Sequence, residues 1–315
     1  MACAAHGNGY FGAYPDFITL SLRLDEEGTV ILKGAFHDLG CGTNTTMMQI
    51  VAEVLDIPVS QVVVPDTDTL ISPYDSAGTQ ASRVTFVCGG AVQRAAEQLK
   101  GKLGYWGSRC MDCKEEDLAF GGGELWNLHQ PDSRLSYGQL TARVQRKYSD
   151  EISVAMTYQS PGNPTSYGAH FVEVEVDSYT GRVKLLDYLA VHDIGKAINL
   201  GFVEGQIQGA VQMGLGMALC EELTFDSKGR ASSARFSRYH VLNAPDMPEV
   251  RVALVEDYEE FGPFGAKSIG EIATVPTAPA VINAINNALD IHLKVLPALP
   301  ERIVEAYKSK TKGGV

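Results

Sequence analysis

The sequence contains the same order of patterns twice, and this repeat is what most limits the folds open to the chain. Each copy begins with two segments that alternate apolar and polar residues and are joined by a turn, the pattern of a β-hairpin. Each hairpin runs into a His-Asp-x-Gly tetrapeptide, at His37–Gly40 and His192–Gly195, so the copies lie 155 residues apart. A helical pattern follows in both copies and ends at Leu55 and Leu219. We interpret this order as an internal structural repeat.

The repeat predicts an α+β protein of two related lobes, each a mixed β-sheet with helices packed on it. We place the first lobe at residues 1–155 and the second at 156–315, because the stretch 149–166 contains Pro161 and Pro164 and is typical of a connection. In this interpretation each lobe sends a glycine-containing loop toward a shared cleft.

Outside the repeat, periodicity predicts helices over 84–103 and 135–146 and another that begins near Pro276. Residues 1–16 show no clear period and are expected to need another segment to pack against. The stretch 104–131 is expected to be irregular. Residues 221–260 are expected to add a further strand pair and an acidic surface segment.

Composition argues against several classes of partner. The 315-residue chain has a formal net charge of −12 and no long basic run, so nucleic acid and anionic membranes are not expected as partners. It contains no apolar stretch of the roughly 20 residues needed to span a bilayer, and its first residues lack the pattern of a signal peptide. Its six cysteines are scattered, so a reducing, cytoplasmic location is the default expectation.

The common metal and nucleotide motifs are missing from the sequence. The Cys110–Cys113 pair has no second pair with which to form a four-ligand zinc or iron–sulfur site. His37 and His192 are not at metal-ligand spacing and are expected to have structural roles, so no side chain is expected to bind a metal directly. The usual hydrolase, kinase and dinucleotide-binding signatures are also absent.

Glu271 is the candidate catalytic residue. It follows Gly270 and shortly precedes the helix that begins near Pro276, where the positive end of the helix dipole favours an ionised carboxylate. Flanking glycines allow the backbone unusual angles, and a carboxylate held in this way suits a general base. The alternative is a charge that only stabilises the start of the helix.

Two further segments have the character of anion-binding loops. Gly40-Cys41-Gly42-Thr43 precedes a helix, where backbone amides and glycines allow a phosphate to approach closely. The run 79–83 also precedes a helix and ends in Arg83, which could instead pair with Asp66 or Asp68.

The helix over 202–219 contains four glycines, at 205, 209, 214 and 216. Each costs a helix about 1 kcal/mol relative to alanine. We therefore expect this helix to pack closely against backbone or against a flat ligand.

These stretches together resemble the C-terminal half of the molybdenum-binding subunit in the xanthine dehydrogenase and aldehyde oxidase family of molybdenum hydroxylases. The resemblance rests on five segments that occur in the family's order: His37–Gly42 with the helix to Leu55, Asp66–Arg83, Val191–Asn199, Val203–Gly216 and Gly265–Glu271. They extend over nearly the whole chain. One such motif would be weak evidence, but five in order are specific.

The resemblance implies that Glu271 is the catalytic base, which takes a proton from a hydroxyl held by molybdenum, and that water supplies the oxygen of the product. The implied cofactor is molybdenum–molybdopterin, as such or as its cytosine dinucleotide. The residues implied to hold it are Gly40, Cys41, Gly42, Thr43, Gln80, Ala81, Ser82, Arg83, Gln212, Met213 and Gly270. Cys41 departs from the family, which usually has glutamine there, and Met213 stands where glutamine commonly precedes Gly214.

The resemblance does not cover the preceding half of the molybdenum subunit, the [2Fe–2S] centres or the FAD domain. These are expected on partner subunits or on missing segments, so the chain alone is expected to have no turnover. The implied reaction is oxidation of a small aromatic N-heterocycle of the purine or nicotinate type. An aldehyde is the alternative substrate, and a cofactor-free, catalytically silent module is the alternative of a different class.

Overall fold

A computed structural model describes residues 1–10 and 15–312. The strands in this part of the chain are β1 (Ala2–Gly7), β2 (Phe17–Leu24), β3 (Val30–Lys33), β4 (Val62–Val63), β5 (Leu118–Gly121), β6 (Glu124–Asn127), β7 (Gln130–Ser136), β8 (Ser153–Gln159), β9 (Thr165–Val176), β10 (Val183–Asp193) and β11 (Val250–Val255). The α-helices are α1 (Thr43–Leu55), α2 (Gly89–Met111), α3 (Tyr137–Tyr148), α4 (Leu200–Leu219), α5 (Thr277–Leu289) and α6 (Pro300–Lys312). The predicted α+β class is confirmed. No helix within the described residues is long and apolar enough to cross a membrane.

The chain divides into two units, and neither is one continuous stretch. The first unit consists of Gly7–Pro164 and Tyr258–Ser268. The second unit consists of Met1–His6, Thr165–Asp257 and the described residues from Ile269 onward. The segment that leads to Glu271 therefore passes from the first unit to the second between Ser268 and Ile269.

The first unit is built on a four-stranded sheet in the order β4-β3-β2-β8. The predicted hairpin of β2 and β3 is present, and Asp25 closes its turn by accepting the backbone amides of Glu27 and Thr29. Helix α1 then leads to β4, which pairs with β3 in parallel. Every second residue of β2 is buried, as its alternation predicts. The apolar face of α1 is also buried as predicted, at Met47, Ile50, Val51 and Leu55.

Residues 104–131 are not irregular, so that prediction is wrong. Helix α2 continues to Met111, and β5, β6 and β7 then form a three-stranded antiparallel sheet. The first turn of this sheet lies at Gly122 and Gly123, which have φ angles of 60° and 77°. Two successive positive φ angles define the tight hairpin turn that glycine pairs favour. The glycine run at 121–123 was thus the signal for a hairpin.

The remaining helices of the first unit follow their predictions with shifted bounds. Helix α3 begins at Tyr137, two residues later than predicted, because Ser136 and Gln139 form a capping box at that point. A π-helical turn (Val84–Cys88) precedes α2, so the helical segment begins at the predicted residue but ends eight residues later than predicted.

The second unit is built on a four-stranded sheet in the order β1-β9-β10-β11. The predicted hairpin of β9 and β10 is present, and α4 follows it. Strand β11 then pairs with β10 in parallel. Helices α4 and α5 pack on this sheet around a core that includes Tyr188, Ile207, Val211 and Ile285.

Two sequence-based expectations for the second unit need correction. Residues 2–7 form strand β1, although the sequence shows no clear period there. Residues 221–260 contribute a single strand, β11, and an isolated bridge between Phe225 and Ala231, not a strand pair. Strands β1 and β11 pair with β9 and β10, which lie far away in sequence, so no local hairpin pattern marks either pairing.

Candidate functional site

The loop before α1 folds around the carboxylate of Asp38. Oδ1 of Asp38 accepts the backbone amides of Gly40 and Gly42 at 3.0 and 3.1 Å, and Oδ2 accepts that of Asn44 at 3.3 Å. Asp193, in the second His-Asp-x-Gly, accepts the amide of Gly195 at 3.1 Å. The aspartate of each tetrapeptide therefore organises its own loop, a role that sequence reasoning missed.

Two backbone amides of the same loop remain available. Those of Cys41 and Thr43 donate to no acceptor within the described residues, and they lie at the positive end of α1. A β-carbon added at Gly40 would meet nothing within 4 Å, so the loop is open on that side. The Cys41 thiol lies 3.1 Å from the hydroxyl oxygen of Thr43.

The turn at 79–83 contacts this loop. The Thr79 hydroxyl donates to the carbonyl of His37 at 2.7 Å, so the structure brings together two of the predicted segments. Ala81 and Ser82 have φ angles of 51° and 50°. Left-handed conformations cost residues other than glycine roughly 1–2 kcal/mol each and cluster at ligand-binding sites. This turn therefore needs strong support from its surroundings.

Arg83 supplies that support. Its side chain is fully buried, and Nε and Nη1 donate to Asp16 and Asp75 at 2.8 and 2.9 Å. Nη1 also donates to the Gly78 carbonyl at 2.9 Å. Burial by itself lowers the pKa of the guanidinium, but Cys88, Asp16 and Asp75 more than offset this and hold the pKa above its usual value. The pairing proposed from sequence, with Asp66 or Asp68, is wrong.

Ser268, the last residue of the first unit, is hydrogen-bonded to the helix that follows Arg83. The backbone amide of Phe86, in the π-helical turn, donates to the Ser268 hydroxyl oxygen at 3.1 Å. The amide of Ser268 in turn donates to Oδ1 of Asn8 at 2.6 Å. A residue 182 positions away thus caps this helix in place of a local capping residue.

Glu271 itself belongs to the second unit, where it opens a short 3-10 turn (Glu271–Ala273), six residues before α5. The helix start predicted near Pro276 is confirmed, since Pro276 is the residue before the first helical position. The Glu271 side chain is 57% exposed, and its Oε2 lies 3.6 Å from Nε2 of His6. Ile272 and Ala273, which follow it, are buried and fix the turn in place.

A buried group of polar side chains lies next to this turn. Nε2 of His170 is 2.9 Å from Nε2 of His192, and Nδ1 of His170 is 2.7 Å from the Tyr188 hydroxyl. The Thr277 hydroxyl lies 3.2 Å from the same Nδ1 and donates to the Ala273 carbonyl at 3.4 Å. The structural role predicted for His192 is thus confirmed, whereas His37 is exposed.

Glycines allow the surrounding elements to approach this group. A β-carbon at Gly168 would lie 2.7 Å from Cε1 of His192, and one at Gly214 of α4 would collide with the side chain of Thr277. The expected close packing of the glycine-rich helix is therefore present at Gly214. At Gly205 and Gly209 the helix surface is open, with nothing within 4 Å of an added β-carbon.

The predicted cofactor-binding residues of α4 differ in what their side chains do. Nε2 of Gln212 donates to the Leu242 carbonyl at 3.0 Å. Met213 is 51% exposed. Sequence reasoning did not single out His6, His170, Tyr188 or Thr277, because no local motif marks them.

Comparison with known proteins identifies the family. Residues 1–248 match the model of the molybdopterin cofactor-binding domain. The chain is 31% identical over 300 residues to the nicotine 6-hydroxylase large subunit of Paenarthrobacter nicotinovorans. This alignment covers 92% of the chain and 37% of that subunit. It is 29% identical over 312 residues to the xanthine dehydrogenase molybdenum-binding subunit of Escherichia coli O157:H7. This second alignment covers 98% of the chain and 41% of that subunit.

The fold is also similar to a solved structure. Quinoline 2-oxidoreductase from Pseudomonas putida 86 superimposes with a TM-score of 0.88 at 25% identity, over 98% of this chain and 42% of the other. The chain thus spans about two fifths of the length of the relatives it matches. It belongs to the molybdopterin cofactor-binding domain family and corresponds to part of the molybdenum-binding subunit of a molybdenum hydroxylase.

Proposed function

We propose that this chain forms part of the cofactor site of a xanthine dehydrogenase-like hydroxylase and that Glu271 is its catalytic base. The observation that carries the proposal is the placement of Glu271. Its carboxylate is solvent-accessible, yet its backbone begins a turn whose next two residues are buried. A base needs access to the proton it removes and a fixed position from which to remove it.

The open loop before α1 suits one part of a molybdenum–molybdopterin cofactor. The amides of Cys41 and Thr43 are two donors for which the described chain offers no acceptor. Because the Asp38 carboxylate lies beside them, an uncharged acceptor such as a pterin carbonyl fits these amides better than a phosphate. Gly40 and Gly42 let the ligand approach the backbone. Bound molybdenum would supply the two-electron oxidant for the substrate.

The other predicted residues receive roles according to their contacts. Gln80, Ala81 and Ser82 form the strained turn and would meet the cofactor, while Arg83 holds that turn from within. Met213 would meet it through its exposed side chain, and Gln212 and Gly270 would position the backbone near it. The proposal retains either form of the cofactor, molybdopterin or its cytosine dinucleotide.

We further propose that residues 1–155 and 156–315 are two related cofactor-binding lobes. In each, an antiparallel hairpin leads through His-Asp-x-Gly to a helix and then to a strand parallel to the second hairpin strand. This shared order supports an origin by repetition.

The proposed substrate is an aromatic N-heterocycle of the purine or nicotinate type, with water as the source of oxygen. The names of three similar proteins support this choice, since nicotine, xanthine and quinoline all contain such a ring. We propose that the rest of a molybdenum subunit, an iron–sulfur subunit and an FAD subunit complete the enzyme, and that the complex is cytoplasmic.

The test is Glu271→Gln in the assembled complex, with Glu256→Gln as the control, because Glu256 is also an exposed carboxylate of the second unit. Turnover is measured with hypoxanthine, nicotinate, quinoline and an aldehyde, and molybdenum content is measured in parallel. We expect Glu271→Gln to abolish turnover while molybdenum stays bound, and Glu256→Gln to leave both unchanged. Residual turnover in Glu271→Gln refutes the base. Preference for the aldehyde refutes the substrate class, and a complex without molybdenum or pterin refutes the function.

A further inference from the structure

The imidazole of His6 lies within ion-pair distance of the Glu271 carboxylate, with Nε2 3.6 Å from Oε2. We propose that His6 is a positioning residue for Glu271: its Nε2 holds Oε2 of the carboxylate in one orientation, so that the base points at its proton. This inference rests on the proposed role of Glu271. It assigns a function to the first strand of the chain, for which no motif gave a role.

The distance between the two side chains is that of an ion pair and not of a direct hydrogen bond. Nε2 and Oε2 are 3.6 Å apart, within ion-pair range but longer than the roughly 2.7–2.9 Å of a direct charge-assisted hydrogen bond. Hydrogen bonds to catalytic groups are often long in the free protein and shorten in the reacting complex. We expect the pair to shorten in the reacting complex.

The two partners differ in freedom, which decides which one positions the other. Glu271 is 57% exposed, and its side chain has three torsions. His6 is 27% exposed, has only two side-chain torsions and extends from a paired strand. The imidazole is thus the more constrained of the two side chains. Fixing a reacting group in advance lowers the entropy lost on the way to the transition state.

The fold holds both partners on one scaffold. Strand β1 lies at the edge of its sheet, and its alternation places Ala2, Ala4 and His6 on the less exposed face. The start of β1 is tied to α5, because Nδ2 of Asn283 donates to the Met1 carbonyl at 3.0 Å. The turn that carries Glu271 leads directly into the same helix. A shift of β1 relative to α5 would therefore separate His6 from Glu271.

The test uses three variants of the assembled enzyme. His6→Phe keeps the ring and removes the donor, whereas His6→Gln keeps an N–H donor close to the position of Nε2. His129→Phe is the matched control, because His129 pairs with the carboxylate of Asp117 at 2.9 Å elsewhere in the chain. We expect His6→Phe to lower kcat about 10- to 100-fold, as for a misplaced catalytic group, with KM changed less than about twofold. His6→Gln should recover most of the loss, and His129→Phe should have no effect.

A second measurement needs no turnover. In the full chain labelled with ¹⁵N-histidine, the ring nitrogen signals of His6 should move in Glu271→Gln and stay in place in Glu256→Gln. No movement in Glu271→Gln overturns the proposed contact. Movement together with an unchanged kcat in His6→Phe overturns the positioning role.

The outcomes separate this inference from the proposed function. If Glu271→Gln is inactive but His6→Phe is fully active, the function stands and the inference fails. If Glu271→Gln remains active, the proposed base is refuted, whatever the NMR signals of His6 show. A loss of kcat in His6→Phe that His6→Gln does not restore also refutes positioning through the N–H donor.

Discussion

Nε2 of His170 and Nε2 of His192 lie 2.9 Å apart in the core of the second unit, on the neighbouring strands β9 and β10. Both side chains are fully buried. Burial lowers the pKa of His170 to about 3, and the neighbouring His192 contributes to the shift. Burial also lowers the pKa of His192 to about 4, although the backbone of Tyr167 opposes this. Both rings are therefore neutral, so one donates the shared proton and the other accepts it.

The pair makes the stability of the protein depend on pH. In the unfolded chain each histidine binds a proton as the pH falls through about 6.5, whereas in the folded chain neither does so until about pH 4 or below. The unfolded state thus binds more protons in this window, and the free energy of unfolding decreases as the pH falls from about 6.5 toward 4. The slope is at most about 1.4 kcal/mol per pH unit for each histidine.

Urea denaturation followed by circular dichroism at a series of pH values measures this slope. His192→Gln, which cannot take up a proton, should lose the contribution of His192. NMR gives an independent check, because the ring signals of His170 and His192 should keep their neutral positions down to pH 5. A ring that titrates near pH 6.5 would contradict the prediction.

The glycines of α4 predict opposite effects of the same substitution. Gly214→Ala places a methyl group against the side chain of Thr277, so we expect a loss of about 1–3 kcal/mol of stability from overpacking. Gly209→Ala meets open space and should stabilise the isolated chain by up to about 1 kcal/mol. Thermal or urea unfolding of both variants is the measurement. Adding Thr277→Ser should relieve part of the Gly214→Ala penalty, and equal effects of the two alanines would refute the packing argument.

Arg83 is expected to be a large contributor to stability. Arg83→Met leaves the carboxylates of Asp16 and Asp75 buried without a counter-charge, which costs about 3–5 kcal/mol. The control is Arg251→Met, since Arg251 pairs with Asp187 in an exposed position where solvent screens the pair, so its loss should change stability little.

The charge explanation for Arg83 has its own check. Asp16→Asn and Asp75→Asn, introduced into Arg83→Met, should restore part of the lost stability because they remove the unpaired charges. If they lower stability further, the loss arises from packing rather than from charge.

The sequence alone determined which segments form the central elements. Apolar residues alternate over 17–24 and recur at helical spacing at Met47, Ile50, Val51 and Leu55. In both segments this pattern indicates correctly which side of the element is buried. Such periodicity is a local property, because it depends on the geometry of the strand or helix itself. The same holds for the helix after Glu271 and for the motif order that indicated the family.

Only the tertiary structure decided which groups meet. Arg83 pairs with Asp16 and Asp75 rather than with Asp66 or Asp68, and the hydroxyl of Ser268 caps a helix 182 residues away. Strand β1 exists because the edge of a sheet formed by distant residues is available to pair with it. The pairs His6–Glu271 and His170–His192 likewise join strands and turns, and no sequence motif indicates that these residues meet. A side chain pairs with the group that folding brings within hydrogen-bond or ion-pair distance. That distance depends on the packing of whole elements rather than on the separation of residues along the chain.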